Sequence, residues 1–242
     1  GAMIIPIGGN DAELTMQTVR KEPDRMRYAT RAAQLQNGQI LNGTRGWTYM
    51  GTGDSLTVNE IDSVGVAAMR VAFRSDVVHT LLDAAAPQAR VASNGTGRAD
   101  GRDADVLEIV RAVPGGAGTE RTLLYLDPAS HRLVAEDLGE DPARPGTFLA
   151  RRIYREYRAV NGVQWPFHEE RHRGGVKTMT ILLRSVTLDS CASDALFERP
   201  QTAMVFGDAK AVLNGLLTEL RSMGVGKAGV GKAVAGKQKV AA

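Results

Sequence analysis

The chain has 242 residues, of which 43% are hydrophobic and 24% are charged. This apolar fraction excludes a disordered chain, and no run of about 18 apolar residues is present that would span a membrane as a helix. A single cysteine, Cys191, excludes an internal disulfide framework and a zinc site built from several thiolates.

The basic character of the chain is concentrated at its C-terminus. The formal net charge is +3, yet no acidic residue follows Glu219 and five basic residues do. Taking those five charges from the total leaves the rest of the chain at −2, so a nucleic-acid-binding surface is not indicated. Residues 224–242 are rich in glycine and lysine and predict a flexible, solvated tail. The alternative is a weak anchor for anionic lipid or nucleic acid.

The first part of the chain is predicted to be extended. Residues 1–12 are interpreted as a lead, in which Gly1-Ala2-Met3 resembles the remnant of a cleaved expression tag. Two Asn-Gly pairs, Asn37-Gly38 and Asn42-Gly43, each predict a hairpin turn because both residues tolerate positive φ. Alternating or β-branched segments predict strands at residues 14–19, 25–28 and 45–50.

A helical insert is predicted at residues 62–84, where apolar residues recur at helical spacing, with a break at residues 73–75. Strand patterns then return. Asn161-Gly162 and Gly174-Gly175 predict two tight turns within an antiparallel meander. The strands predicted after the insert cover residues 105–110, 121–126, 131–136, 148–160, 163–173 and 176–188. A clean amphipathic helix is predicted within residues 206–223.

The segment from His168 to His172 reads H-E-E-R-H and matches the zinc-protease pattern H-E-x-x-H. That pattern works on a helix, where residues i and i+4 meet, whereas this segment lies within the predicted meander. On a strand the two histidines are about 13 Å apart and cannot share one zinc ion. We therefore predict no catalytic residue, metal or cofactor, and keep a metal-dependent hydrolase using this segment as a distant alternative.

Five segments, in order along the chain, resemble motifs of the outer-membrane lipoprotein carrier (LolA/LolB-like) superfamily. They are Glu22-Pro23-Asp24-Arg25-Met26-Arg27, Leu41-Asn42-Gly43-Thr44-Arg45-Gly46-Trp47, Leu124-Tyr125-Leu126-Asp127-Pro128, Tyr157-Arg158-Ala159-Val160-Asn161-Gly162-Val163-Gln164-Trp165-Pro166 and Asp194-Ala195-Leu196-Phe197-Glu198-Arg199-Pro200.

This resemblance implies an α+β fold, an unclosed antiparallel β half-barrel with covering helices, over residues 13–203. It also implies a non-enzymatic periplasmic protein that binds acyl chains of lipids or lipoproteins in an apolar concavity, with the signal peptide absent from this sequence. The alternative is a sensor or scaffold domain that binds a protein partner in the cell envelope. Candidates for the cavity lining, with core packing as the other role, are Met26, Tyr28, Trp47, Tyr49, Leu107, Ile109, Trp165, Phe167 and Leu182.

Overall fold

A computed structural model describes residues 1–52, 55–73, 76–112, 118–141, 143–188 and 191–200. Within these residues, thirteen β-strands form one antiparallel sheet that does not close, accompanied by two α-helices and one 3-10 helix. The predicted fold class, an unclosed antiparallel half-barrel with helices, is confirmed. The elements in chain order are β1 (Ala2–Ile7), β2 (Asn10–Lys21), β3 (Arg25–Ala32), β4 (Leu35–Asn42), β5 (Arg45–Thr52), β6 (Ser55–Glu60), α1 (Ser63–Phe73), α2 (Val77–Ala84), β7 (Arg90–Ala99), β8 (Arg102–Ala112), β9 (Thr119–Leu126), β10 (Leu133–Glu140), β11 (Phe148–Val160), β12 (Val163–Arg173), β13 (Val176–Leu182) and the 3-10 helix η1 (Asp194–Phe197).

The strand order is β6-β5-β4-β3-β2-β1-β13-β12-β11-β10-β9-β8-β7. Two meanders of sequential strands therefore lie side by side, and they meet where β1 pairs with β13, with Met3 opposite Ile181. Residues 1–12, interpreted from the sequence as a lead, form β1 and the beginning of β2. The two edge strands, β6 and β7, are joined through the helical insert, so the chain crosses from one edge of the sheet to the other by way of α1 and α2.

The helices lie against one face of the sheet, which we call the inner face. From α1, Val66, Met69 and Phe73 pack on Met26 and Leu41 of β3 and β4. From α2, Val77 packs against inner-face residues of the other meander: Ile109, Leu124, Leu133 and Tyr154. The predicted insert thus forms two helices, because α1 ends at Phe73 and α2 begins at Val77.

The opposite, outer face of the first meander has its own core. Ile40, Trp47 and Tyr49 are buried there against Phe197 of η1. The side chain of Ser193 caps η1 by accepting a hydrogen bond from the Ala195 backbone. The segment that closes the resemblance to the carrier superfamily therefore serves as an apolar cover for these strands.

Of the two hairpin turns predicted at Asn-Gly pairs in the first part of the chain, one is present in the structure and the other is not. Asn42-Gly43 forms the predicted turn between β4 and β5, with Gly43 at φ 59°. The turn predicted at Asn37-Gly38 is wrong, because both residues lie inside β4 opposite Thr30 and Ala29. Gly38 is required there for space: a Cβ atom would lie 2.4 Å from the Tyr28 carbonyl oxygen and from the Tyr49 ring.

The second meander follows the sequence prediction closely. β11 and β12 have the predicted bounds, with Asn161-Gly162 as the turn between them. β10 begins at Leu133, two residues later than predicted, and β13 ends at Leu182, earlier than predicted. The helix and tail predicted after residue 205 lie outside the described residues. No helix among those described has the length and apolarity needed to cross a membrane.

Candidate functional site

The inner face of β1–β6 can be traced from the strand register, because residues paired across antiparallel strands share a face. Met3 pairs with Leu14, Met16 with Thr30, and Thr30 with Asn37. Two contacts show that these side chains meet. The Tyr28 hydroxyl donates to Met3 Sδ over 3.3 Å, and the Thr30 hydroxyl donates to Asn37 Oδ1 over 2.7 Å.

Charge is segregated between the two faces of these six strands. Arg20 is the one charged residue on their inner face, and it lies at the end covered by the helices. The outer face of the same strands carries Asp11, Glu13, Lys21, Arg25, Arg27, Arg31, Arg45 and Glu60. Apart from Arg20, the inner face of β1–β6 is therefore built from apolar, hydroxyl and amide side chains.

Large apolar side chains are left open on this inner face, beyond the reach of α1. Ile7 is 61% exposed, Met50 58% and Leu35 44%. A recess of about 560 Å³ lies over β5 and β6, at the end of β5 away from α1. Its lining residues are Leu35, Thr48, Tyr49, Met50, Gly51, Thr52, Ser55, Thr57 and Asn59.

The inner face of the second meander is different, because a buried carboxylate lies beneath α2. Glu136 of β10 has no solvent exposure. Its Oε1 accepts hydrogen bonds from Arg152 Nη1 at 2.8 Å and from the Tyr154 hydroxyl at 2.7 Å. Its Oε2 accepts from the Thr80 hydroxyl of α2 at 2.9 Å. Burial, together with the negative charge of Glu136, raises the pKa of the Tyr154 phenol well above its usual value.

A second polar cluster attaches the beginning of α2 to β2 and the turn that follows it. Asp76 caps α2 by accepting from the backbone N–H groups of Val78 and His79, at 2.8 and 2.9 Å. The same carboxylate pairs with Arg20 and lies 2.9 Å from His79 Nδ1. His79 Nε2 lies 3.0 Å from Glu22. The helical insert is thus attached to the sheet by charged contacts as well as by apolar packing.

The H-E-E-R-H segment lies in β12, as predicted, and its two histidines flank Glu170 on the outer face. His168 Nε2 is 3.6 Å and His172 Nε2 is 3.5 Å from the Glu170 carboxylate. Arg155 Nη1 is 3.1 Å from the same carboxylate. Within the described residues, no group of three or more His, Cys, Asp or Glu side chains is placed to hold a metal ion.

The structure separates the residues that the sequence proposed for the cavity. Met26, Tyr28, Leu107 and Ile109 have their side chains on the inner face, but Met26 and Ile109 are buried beneath the helices. Trp47 and Tyr49 lie in the outer-face core, and Leu182 pairs with Ala2 on the outer face. Trp165 is half-buried, and Phe167 is buried beneath the Arg158 guanidinium, 4.4 Å from the ring centroid.

The exposed inner-face residues Ile7, Leu35 and Met50, and the threonines of the recess, were missed from the sequence. The available signal was the alternation of charge along β2 and β3. Glu13, Arg25, Arg27 and Arg31 occupy one face, so the residues between them, such as Leu14 and Tyr28, belong to the other.

The sequence matches no family model and no curated protein. Two solved structures share the fold. One is a Vibrio parahaemolyticus domain named as an outer membrane lipoprotein-sorting protein domain, with 13% identity, a TM-score of 0.53, and coverage of 81% of this chain and 86% of that one. The other is a DUF1329 family protein from Desulfovibrio piger, with 14% identity, a TM-score of 0.54, and coverage of 81% and 87%. At these identities the likeness concerns the fold, and it agrees with the fold implied by the sequence resemblance.

Proposed function

We propose that the protein is a non-enzymatic binding protein of the bacterial cell envelope that holds acyl chains of a lipid or lipoprotein against the inner face of β1–β6. The observation that carries this proposal is the charge segregation of those strands. Nearly every charged residue faces outward, while Ile7, Leu35 and Met50 stay exposed on the uncharged side. An exposed apolar surface of this kind is what an acyl chain requires.

The energetics of such binding need no chemical step. Each methylene group moved from water to an apolar surface contributes about 0.8 kcal/mol. A chain of ten methylene groups that buried half of its surface would gain about 4 kcal/mol on that scale. The inner face thus offers a driving force for reversible binding, as a carrier or a lipid-binding protein requires.

The fold shared with the domain named for outer membrane lipoprotein sorting supports the same proposal. It also supports a location in the periplasm. Because the inner face beyond α1 is exposed in the part of the chain that the structure describes, a bound chain can reach it without prior movement of α1 or α2.

Two leucines of nearly equal exposure provide the test. Leu35 lies on the inner face of β4 and is 44% exposed, whereas Leu149 lies on β11, in the other meander, and is 43% exposed. Titration with the neutral apolar fluorophore N-phenyl-1-naphthylamine should be saturable for the unaltered protein and for Leu149→Glu, and at least about tenfold weaker for Leu35→Glu. Mass spectrometry of organic extracts should recover lipid from the same two proteins. Equal binding by both variants, or no saturable binding at all, would overturn the proposal.

A second candidate function, a sensor or scaffold domain that binds a protein partner, is favoured by the outward side of α1. Val64 and Val71 are 75% and 68% exposed there. Cross-linking in envelope extracts should recover one partner with the unaltered chain and lose it with Val64→Glu/Val71→Glu, without any change in fluorophore binding.

A further inference from the structure

The recess over β5 and β6 has a lining that recognises a particular kind of head group. We infer that it receives an uncharged, hydroxyl-rich head group, so that the ligand is a neutral amphiphile such as a glycolipid or an acylglycerol. This inference rests on the proposed function, because it requires the acyl chain to lie on the inner face.

The polar side chains of the recess are paired across the two strands. Thr48 lies opposite Asn59, and Thr52 lies opposite Ser55, with Thr57 between them opposite Met50. Each hydroxyl and amide can both donate and accept hydrogen bonds. A sugar or glycerol group has the same dual character, so it can replace the water on these side chains without leaving a donor or acceptor unpaired.

Among the residues that the structure describes, none of those lining this recess is charged. A smaller recess, of about 240 Å³, lies over parts of β7, β8, β10 and β11 and the turns between these strands. Its lining includes several charged side chains: Asp100, Arg102, Asp127, Arg132, Arg155 and Glu156. An anionic or cationic head group placed over β5 and β6 would lose hydration without gaining a counter-charge. The chemistry of the lining therefore selects against charged amphiphiles.

The apolar residues indicate where the chain of such a ligand would lie. Met50 and Leu35 form the apolar part of the recess, and Ile7 lies on the inner face of β1. A head group among the threonines can thus continue into an acyl chain that runs across β4, β3 and β2 toward β1. One surface would hold both parts of the amphiphile.

Three amphiphiles of equal chain length, each used below its micelle concentration, test this inference on the full chain. They are decyl maltoside, decyl sulfate and decyltrimethylammonium, and each competes with bound N-phenyl-1-naphthylamine. Decyl maltoside should displace the fluorophore at a concentration at least about tenfold lower than either charged compound. If all three displace it equally, the inference is overturned and acyl binding stands. If none displaces it, the proposed function fails as well.

Isosteric variants locate the head group. Thr48→Val/Thr57→Val removes two hydroxyls while preserving shape, and should weaken decyl maltoside binding by about two- to tenfold for each hydroxyl lost. Thr15→Val, on the exposed outer face of β2, is the matched control and should change nothing. Thr57→Lys should improve decyl sulfate binding by about two- to fivefold. If the first variant binds decyl maltoside as tightly as the unaltered protein, and Thr57→Lys leaves decyl sulfate binding unchanged, the inference is overturned.

Discussion

The Thr80 hydroxyl of α2 donates a hydrogen bond of 2.9 Å to Glu136, a carboxylate with no solvent exposure on β10. Two further donors, Arg152 and Tyr154, reach the same group. A buried charge of this kind is stable only while its partners remain in place. The contact therefore makes the position of α2 depend on the charge of one side chain in the sheet.

Glu136→Gln should destabilise the protein by about 3 kcal/mol, because Arg152 would lose its fully buried, hydrogen-bonded counter-charge and keep the more distant Glu169, at 3.9 Å. Urea unfolding, followed by circular dichroism, measures the change. Glu60→Gln is the control, since Glu60 forms an exposed pair with Arg45 and its loss should leave the midpoint nearly unchanged. Equal midpoints for the two variants would contradict the role assigned to Glu136.

The two helix caps of the insert allow a matched comparison. Asp62 accepts from the Gly65 backbone at the beginning of α1 and is exposed. Asp76 caps α2 and also contacts Arg20 and His79. Asp62→Ala should cost about 1 kcal/mol, the ordinary value of a cap.

Asp76→Ala should cost about 3 kcal/mol, because a cap and a partly buried ion pair are lost together. The difference between the two variants in urea unfolding measures the attachment of α2 to β2. If the two losses were the same, the contacts of Asp76 with Arg20 and His79 would add nothing to stability.

Phe197→Ala should destabilise the protein by about 3–5 kcal/mol, because the ring is fully buried against Ile40, Trp47 and Tyr49. Leu196→Ala, at the half-buried neighbouring position, should cost clearly less. Thermal unfolding compares the two variants. An intact midpoint for Phe197→Ala would mean that η1 does not contribute to the outer-face core.

The tyrosines of the second meander predict a loss of stability at high pH. Burial and the hydrogen bond to Asp137 raise the pKa of Tyr125 to about 12, and burial also raises the pKa of Tyr157. Because an unfolded tyrosine titrates near pH 10, the stability from these phenols is complete below pH 10 and is lost as the pH rises toward 12.

Absorbance at 295 nm should therefore show a late titration phase that coincides with unfolding, and Tyr125→Phe should remove one phenol from it. Titration of all five tyrosines near pH 10 in a chain that is still folded would contradict this prediction.

Much of the strand pattern could be predicted because it depends on local chemistry. Asn161-Gly162 is a turn wherever it connects two alternating segments, and it is one here. Asn37-Gly38 has the same local preference, but the β3–β4 turn forms at Ala33, where φ is 49°. The pairing of eight residues of β3 with β4 then places Asn37-Gly38 inside a strand. The strand register, which depends on tertiary structure, therefore overrides the preference of Asn37-Gly38 for a turn.

The candidate site was harder to predict because alternation separates two faces without saying which one is inner. That choice depends on α1, whose Met69 packs on Met26 from more than forty positions away along the chain. Trp47 and Tyr49 were predicted as candidates for the cavity lining because they are large aromatic residues, but Phe197 covers them on the outer face. Ile7, Leu35 and Met50 come together only when β1, β4 and β5 are placed in one sheet.

The β1–β13 pairing has a consequence for the order in which the sheet forms during folding. Among the described strands, every other neighbouring pair is consecutive in the chain, so each such pair can form with little loss of chain entropy. The seam between Met3 and Ile181 must wait until almost the whole sheet has been made. Until then β1 has an open backbone edge, along which a partly folded chain can pair with another copy.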